Sequence, residues 1–578
     1  MSELPATPAR FGQPLRFGIL CRGTELSAWQ AQCVRQLTAV EGVVPALVLV
    51  EEGDPSAGAP GRNGIPLLWR LYQRFTRHKL ESERPATPPG ELARVPSLRY
   101  RTERNGPSGR RIRAADVAVI RSHELDFILQ LSDGEDVRGD VLSAARFGVW
   151  AFRHGDPAKY GGGPPCFWEI VSADPITAVS LVRLVDGDES QVTLKENHLR
   201  TCFKSYVKAR DSAFLASTDL PARVSRDIQL GTGDYLLAGA TRSPAAGRRL
   251  PTGRETLAFV ARLFVNKLWD AGGWLFRHRQ WCIGIVDRPI QAFLDPAFAP
   301  SIQWLPWTGR SGFVADPFGL QRGSVATILA EELDFASSKG RLVAIEWPDG
   351  GSPTIHRHIF KMGVHASYPY LLEHEGGVWC IPETQAANEV ALFRALQFPV
   401  RWEKTATLVE GVAALDPTLV LHRGRWWMFY GVAGRFGEVS LCAQHAPSLQ
   451  GPWVPHAANP LKTDVRGSRP AGSPFVEGGV LYRPAQDCTL GYGRAVAIFR
   501  VTRLSPTEFS EELHSVVRPP PNCTYSAGVH TLSRLGGRTL IDGQRVVFVP
   551  LLLFQELRRI IRRRFGGLAT RRPAHAPE

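Results

Sequence analysis

The sequence predicts a multidomain chain, an α/β unit built on a parallel sheet followed by an all-β, five-bladed propeller. Three observations carry this. Strand-like runs alternate with helical patterns up to about residue 280. Short strands separated by turns follow. A motif then recurs in the second half at a spacing of about 50 residues, the length of one propeller blade. A chain of 578 residues allows roughly four domains. One propeller absorbs about half of it, leaving two large units.

In the first unit, LRFGILC (Leu15 to Cys21) reads as a buried strand. SAWQAQCVRQL (Ser27 to Leu37) reads as a helix and PALVLVEE (Pro45 to Glu52) as the next strand. LLWRLYQRF (Leu67 to Phe75) is an amphipathic helix, and Glu81 to Arg113 is rich enough in Pro and charge for an exposed insertion. DFILQLS (Asp126 to Ser132), FGVWAF (Phe147 to Phe152) and AVSLVRLV (Ala178 to Val185) complete the strands. Residues 216–255 are loop-like, and Glu255 to Phe276 is a bridging helix. The resulting division is 1–215 for the first unit, 216–279 for linker and bridging helix, 280–535 for the propeller and 536–578 for the tail.

In the second half, FVADPFG (Phe313 to Gly319), HASYPYL (His365 to Leu371), ALDPTLV (Ala414 to Val420), SRPAGSP (Ser468 to Pro474) and YSAGVHTLS (Tyr525 to Ser533) give five starts. Each of the middle three precedes a turn and a second strand, such as HRGRWW (His422 to Trp427). Sandwiches also alternate strands and turns, so the repeat decides between them.

The net charge of +14 fits arginines scattered over solvated faces, or an anionic partner. Nine dispersed cysteines without a CxxC pair argue against a disulfide framework and against a metal site. Neither a signal peptide nor a long apolar run is visible, which predicts a cytoplasmic protein. The arginine bias suggests a bacterial, GC-rich source.

The stretch Asp126 to Ile170 resembles the formyltransferase family, through Arg146, Gly148, Val149, Lys159, Tyr160, Gly162 and Pro165. The likeness spans about residues 15–215. It implies a donor, 10-formyltetrahydrofolate, whose carbonyl the family polarises with an Asn beside a His held by an Asp. The Asn position holds Ala151 or Phe152 here. The resemblance leaves Arg153, His154, Asp156 and Glu189 as a modified catalytic set: Arg153 for the oxyanion and His154 as base. Asp156 also suits a structural Asx turn.

Residues 280–535 resemble the five-bladed propellers of glycoside hydrolase family 43, and the N-terminal domain of plant glucosamine inositol phosphorylceramide transferases. FVADPF, ILAEELDF, SYPYLLEHEGGVWCIPE, LDPTLV, WWMFY and SRPAG with YRPAQD carry the likeness. It implies carboxylates converging on an axial funnel, with Asp316 as base and Asp416 tuning the site. Ser468-Arg469-Pro470 stands where the acid is expected, so Glu383 is the substitute, with Glu331 and Glu332 as others. Arg469, Arg483 and Asp487 are the candidate substrate-binding residues.

The tail, Val549 to Gly567, places Leu553, Leu557, Ile560, Ile561 and Phe565 at helical spacing among arginines. Such a helix suits an anionic membrane surface or packing on a domain. No nucleic-acid motif is present. The sequence therefore predicts a carbohydrate-modifying protein that transfers a formyl or related one-carbon group to an amino sugar or sugar nucleotide, with the propeller recognising the glycan. The alternatives are a catalytically silent glycan-binding scaffold and a propeller glycosidase or glycosyl-transferring enzyme with a relic first domain.

Overall fold

A computed structural model describes residues 13–548, apart from 24, 53–65, 105–109, 132–134, 161–162, 186–189, 237–241, 245–249, 308, 310–311 and 336–338. The C-terminal helix expected over 549–567 and the candidate Glu189 lie outside the described residues.

The first unit is built on an eight-stranded sheet. Strands Leu15–Cys21, Val43–Glu51, Ser97–Tyr100, Phe127–Gln130 and Val149–His154 pair in parallel. The sheet is not parallel throughout. Ile176–Leu184 and Ser190–Arg200 form a hairpin whose first strand runs antiparallel to Val149–His154, and Arg242–Pro244 adds an antiparallel edge. Residues 185–189 are too few for a parallel crossover, so Ile176–Leu184 and Ser190–Arg200 must pair antiparallel. The expected insertion over Glu81–Arg113 supplies the far edge strand, and its Arg110 is buried against Glu51. Residues 216–255 are not all loop: Leu220–Gln229 is a helix with Val224 fully buried. The bridging helix, Gly253–Phe276, packs on this unit through Phe259 against Trp69, Phe167 and Tyr206. The first unit therefore extends beyond residue 215.

The second unit has five antiparallel sheets, each built on a path of four strands. The first blade uses strands within Gly312–His356, the second Ser367–Glu410, the third Ala414–Pro455 and the fourth Phe475–Val517. The fifth joins both ends of the unit: Leu532–Leu535 and Arg538–Phe548 pair onward to Arg277–Val286 and Ile302–Trp304. The strand Arg538–Phe548 places the end of the propeller past residue 535. Its Asp-Gly-Gln-Arg centre hides the alternation, yet Leu540 and Ile541 are core. All nine cysteines are free thiols.

Ring closure depends on a close backbone approach between the fourth and fifth blades, where Gly472 bridges Leu532. Gly472 has φ +119, and a Cβ there would sit 1.7 Å from the Leu532 carbonyl oxygen. Only glycine tolerates both conditions. Gly472→Ala should therefore destabilise the propeller by about 3 kcal/mol or more. Urea unfolding checks this, with Gly424→Ala as a turn glycine whose added Cβ meets nothing within 4 Å.

Candidate functional site

In the first three blades the innermost strand is interrupted at the same place. Pairing skips from Ala315 to Phe318, from Ser367 to Tyr370 and from Leu415 to Thr418. The residue before each proline, Asp316, Tyr368 or Asp416, has φ of +53, +44 or +49. Positive φ is uncommon for such residues, and the surroundings must hold it. Arg469 before Pro470 occupies the corresponding place in the fourth blade, and His530-Thr531 in the fifth. One functional side chain per blade thus meets at the axis.

One half of the site is built around His530. Its Nδ1 lies 2.6 Å from Asp542 Oδ2 and its Nε2 lies 3.5 Å from Asp316 Oδ1. The ring stacks on Trp281 at 3.9 Å. Burial opposes charge on the imidazole, but the two carboxylates outweigh it and raise the pKa. Thr531 Oγ1 donates to Asp316 Oδ1 at 2.9 Å, and Asp542 accepts the backbone N–H groups of His530 and Thr531. Burial pushes Asp316 up to about 6 against the pull of His530, with Asp542 and Asp416 adding to the rise. Asp316, His530 and Asp542 are the one group among the described residues with donor atoms close enough for a metal. The two ring nitrogens face different carboxylates, so the imidazolium already supplies the positive charge between them.

Glu331 lies on the adjacent strand, paired at Ala315. It is 6% exposed, and no hydrogen-bond donor reaches its Oε1. His365 Nε2 is 3.5 Å away, on a ring whose pKa burial and Lys339 hold below the usual value. Burial, then Asp316, Glu383 and Asp416, raise its pKa well above the carboxylate range. Its carboxyl is thereby pushed toward the protonated form beside Asp316.

The other half is built around Asp416. Arg469 grips it through Nε and, at 3.2 Å, through an Nη. Gln486 Nε2 donates to it at 3.2 Å. Its backbone N–H donates to Glu383 Oε2 at 2.8 Å. Burial and Asp416 hold Glu383 well above its usual pKa, with Arg469 opposing. The Arg469 guanidinium lies 5.0 Å from the Tyr492 ring centre. The Tyr368 hydroxyl bonds Thr418 and Gly472, tying three blades together. The axis therefore holds ionised groups in charge pairs, and protonated carboxyls beside them.

Of the propeller residues read from the sequence, Asp316, Glu383, Asp416 and Arg469 meet at this axis. Arg483 and Asp487 do not. Arg483 is fully buried against Glu511 and the Gly467 carbonyl, and Asp487 accepts from Thr489 in its own turn. Side chains alternate along the strand, so Gln486 faces the axis where its neighbours cannot. Glu332 likewise points away, into Arg341 and Arg357. Sequence reasoning missed His530, Asp542, Gln486, Tyr368 and Tyr492. The fifth repeat, YSAGVHTLS, was the available signal for His530.

The first unit does not bring its candidates together. Arg153 and His154 are strand neighbours and project to opposite faces. Arg153 is bound to Asp136 and Gln191. His154 stacks on Phe214 at 3.8 Å, with Nε2 2.9 Å from Ser217 Oγ. Burial, with Arg210 and Arg153, presses its pKa down to about 3, which leaves the ring neutral and a weak base. Asp156 caps the following turn by accepting from Ala158 and Lys159. With no Asn at the strand end, these residues do not fit 10-formyltetrahydrofolate.

A family described as "Glucosamine inositolphosphorylceramide transferase 1, N-terminal" matches residues 306–522. This stretch holds Asp316, Glu331, Glu383, Asp416, Arg469 and Tyr492, but not His530 or Asp542. The chain is 31% identical over 207 residues to glucosamine inositolphosphorylceramide transferase 1 of Oryza sativa subsp. indica, covering 35% of this chain and 28% of that protein. The Arabidopsis thaliana protein of the same name is 28% identical over 207 residues, covering 35% of this chain and 27% of the relative. The chain thus spans under a third of the length of these curated relatives. Both are plant proteins, so they lend no support to a bacterial source. Among solved structures, a family-43 β-xylosidase/α-arabinofuranosidase from a compost metagenome is similar at a TM-score of 0.31 and 11% identity, covering 41% of this chain and 90% of that one.

Glu169 in the first unit gives a pH test. It is 2% exposed, no donor reaches its Oε1, and burial, with Asp174 and Asp156 adding, raises its pKa to about 7. The folded state therefore holds a proton that the unfolded chain releases near the ordinary pKa of 4.5. Stability is full below that value and falls as pH rises to about 7. Glu169→Gln should remove up to about 3 kcal/mol of this loss. Urea unfolding at about pH 5 and about pH 8 measures the difference, which must grow with pH.

Proposed function

We propose that the propeller axis carries out chemistry on a glycosidic bond, by transfer or hydrolysis, on a sugar or glycolipid substrate. One observation carries this: buried carboxyls held in different protonation states around one axis. Asp316 is the base. It takes the proton of the incoming hydroxyl, from water or an acceptor, while Glu331 protonates the departing glycosidic oxygen. His530 and Asp542 position Asp316, and the charge on His530 favours its ionised form against burial and Asp542. Arg469, Gln486 and Asp416 suit forked hydrogen bonds to sugar hydroxyls, and Tyr492 offers a stacking face. The family match over residues 306–522 covers Asp316, Glu331, Asp416, Arg469, Gln486 and Tyr492, and supports a carbohydrate substrate class.

A second reading, glycan recognition without turnover, is favoured by the Asp416–Arg469 pair. It already neutralises the carboxylate that would tune a catalytic site.

A panel of nucleotide sugars and aryl glycosides tests the reading on the whole protein. Asp316→Asn and Glu331→Gln should each lower kcat/KM by about 100-fold or more with binding retained. Equal turnover in both folded variants overturns it, and binding without any turnover selects recognition. The rate must fall below about pH 6, where Asp316 takes up a proton. His530→Gln removes the charge that opposes this protonation, so the acid limb of the pH profile should move upward.

A further inference from the structure

The helices Leu67–Arg77 and Gly253–Phe276 meet at one aromatic seam of Trp69, Tyr72 and Phe259. That seam uses one stripe of each helix. The longer helix buries Thr256, Phe259 and Leu263. Its remaining surface is also apolar: Leu257 is 65% exposed, Phe264 63%, Leu268 58% and Trp269 70%. The shorter helix leaves Leu71 at 44% and Phe75 at 69%. A helix apolar on more than one face is expected to be covered on each. Here the second faces are bare, on two adjoining helices, and exposed apolar side chains gathered in this way mark an interaction site.

The charges around this surface identify what covers it. Leu67–Arg77 contains Arg70, Arg74 and Arg77 and no acidic residue. Gly253–Phe276 adds Arg254, Arg262 and Lys267. Its two acids are engaged, Glu255 with Thr252 and Asp270 with Lys204. The occupant must be apolar and anionic. A second copy of the same face would set arginines against arginines. The basic segment Val549–Gly567 would do the same. No helix among the described residues is long and apolar enough to cross a membrane. An amphipathic helix with a basic flank lies instead in the headgroup plane, with its apolar side chains reaching the acyl boundary.

We propose that the exposed faces of Leu67–Arg77 and Gly253–Phe276 form a surface that docks the protein on an anionic lipid bilayer. Phe548, the last described residue, pairs with Arg277, directly after the end of the longer helix. The proposal stands apart from the reading of the axis.

Cosedimentation of the whole protein with phosphatidylcholine vesicles, with and without phosphatidylserine, tests it. Binding should require phosphatidylserine and weaken with salt. Phe264→Ser with Trp269→Ser, and separately Leu71→Ser with Phe75→Ser, should each lower the bound fraction about tenfold. These side chains are exposed, so near-UV circular dichroism should be unchanged. Arg70→Gln with Arg74→Gln should reduce binding to the anionic vesicles. Replacing Arg558, Arg559, Arg562 and Arg563 by Gln separates the contribution of the tail. The proposal is overturned if the serine variants bind like wild type, or if only the tail variant loses binding. It is also overturned if wild type ignores vesicles and forms a dimer that the serine variants dissolve.

Discussion

The second unit depends on one backbone constraint: the left-handed residue before proline on the innermost strand. A blade wants an unbroken ladder, and proline cannot donate to one. Asp316-Pro317, Tyr368-Pro369 and Asp416-Pro417 each leave the ladder for two residues. The left-handed turn costs on the order of 1–3 kcal/mol at each position. The bonds made at the axis hold it in place. Asp316 is fixed by Thr531 and by the Asp542 carboxylate on its backbone N–H. Asp416 is fixed by Glu383 and Arg469. Tyr368 spans to Gly472. Removing the axial groups would therefore loosen the blades as well as the chemistry.

The same convergence sets the electrostatics. Isolated buried charge is too costly to persist, so ionised groups must be paired. His530 sits between Asp316 and Asp542, and Arg469 sits against Asp416. Among the described residues, Glu383 has Arg469 at 3.7 Å and Glu331 has only the His365 ring, whose pKa is lowered. Protonation is the remaining solution for both. The division into base and acid thus follows from counting two axial cations against five carboxyls. Each acid is neutral because its neighbours have taken the counter-ions.

Much of this was legible where the repeat was strong. The five starts mark the five innermost strands, and an acidic residue before proline reads as axial in the first and third blades. Parity along a strand was not legible in YRPAQD. Arg483 and Asp487 look like ligands by residue type, yet one step of the pleat gives the axis to Gln486. Asp542 stands 226 residues from its partner Asp316, on a strand whose central DGQR masks its alternation. Only closure of the ring brings the two together. The mixed sheet of the first unit was hidden for a similar reason. Periodicity identifies strands but not their direction, and the reversal at Ile176–Leu184 follows a connection long enough for either pairing.

The first unit raises a different question, because its polar residues are committed. Arg153 neutralises Asp136, Asp156 caps a turn, and His154 is neutral against Phe214. It touches the propeller along Ser190–Arg200, where the Val465 N–H donates to the His198 carbonyl and Arg223 reaches the Leu461 carbonyl. These are backbone-directed contacts, which fix orientation more than they respond to side-chain chemistry. A unit joined this way to the propeller can orient the axis without contributing a reacting group. Its bare apolar helices are held together by Trp69 and Phe259, and the longer one runs directly into the propeller strand Arg277–Val286.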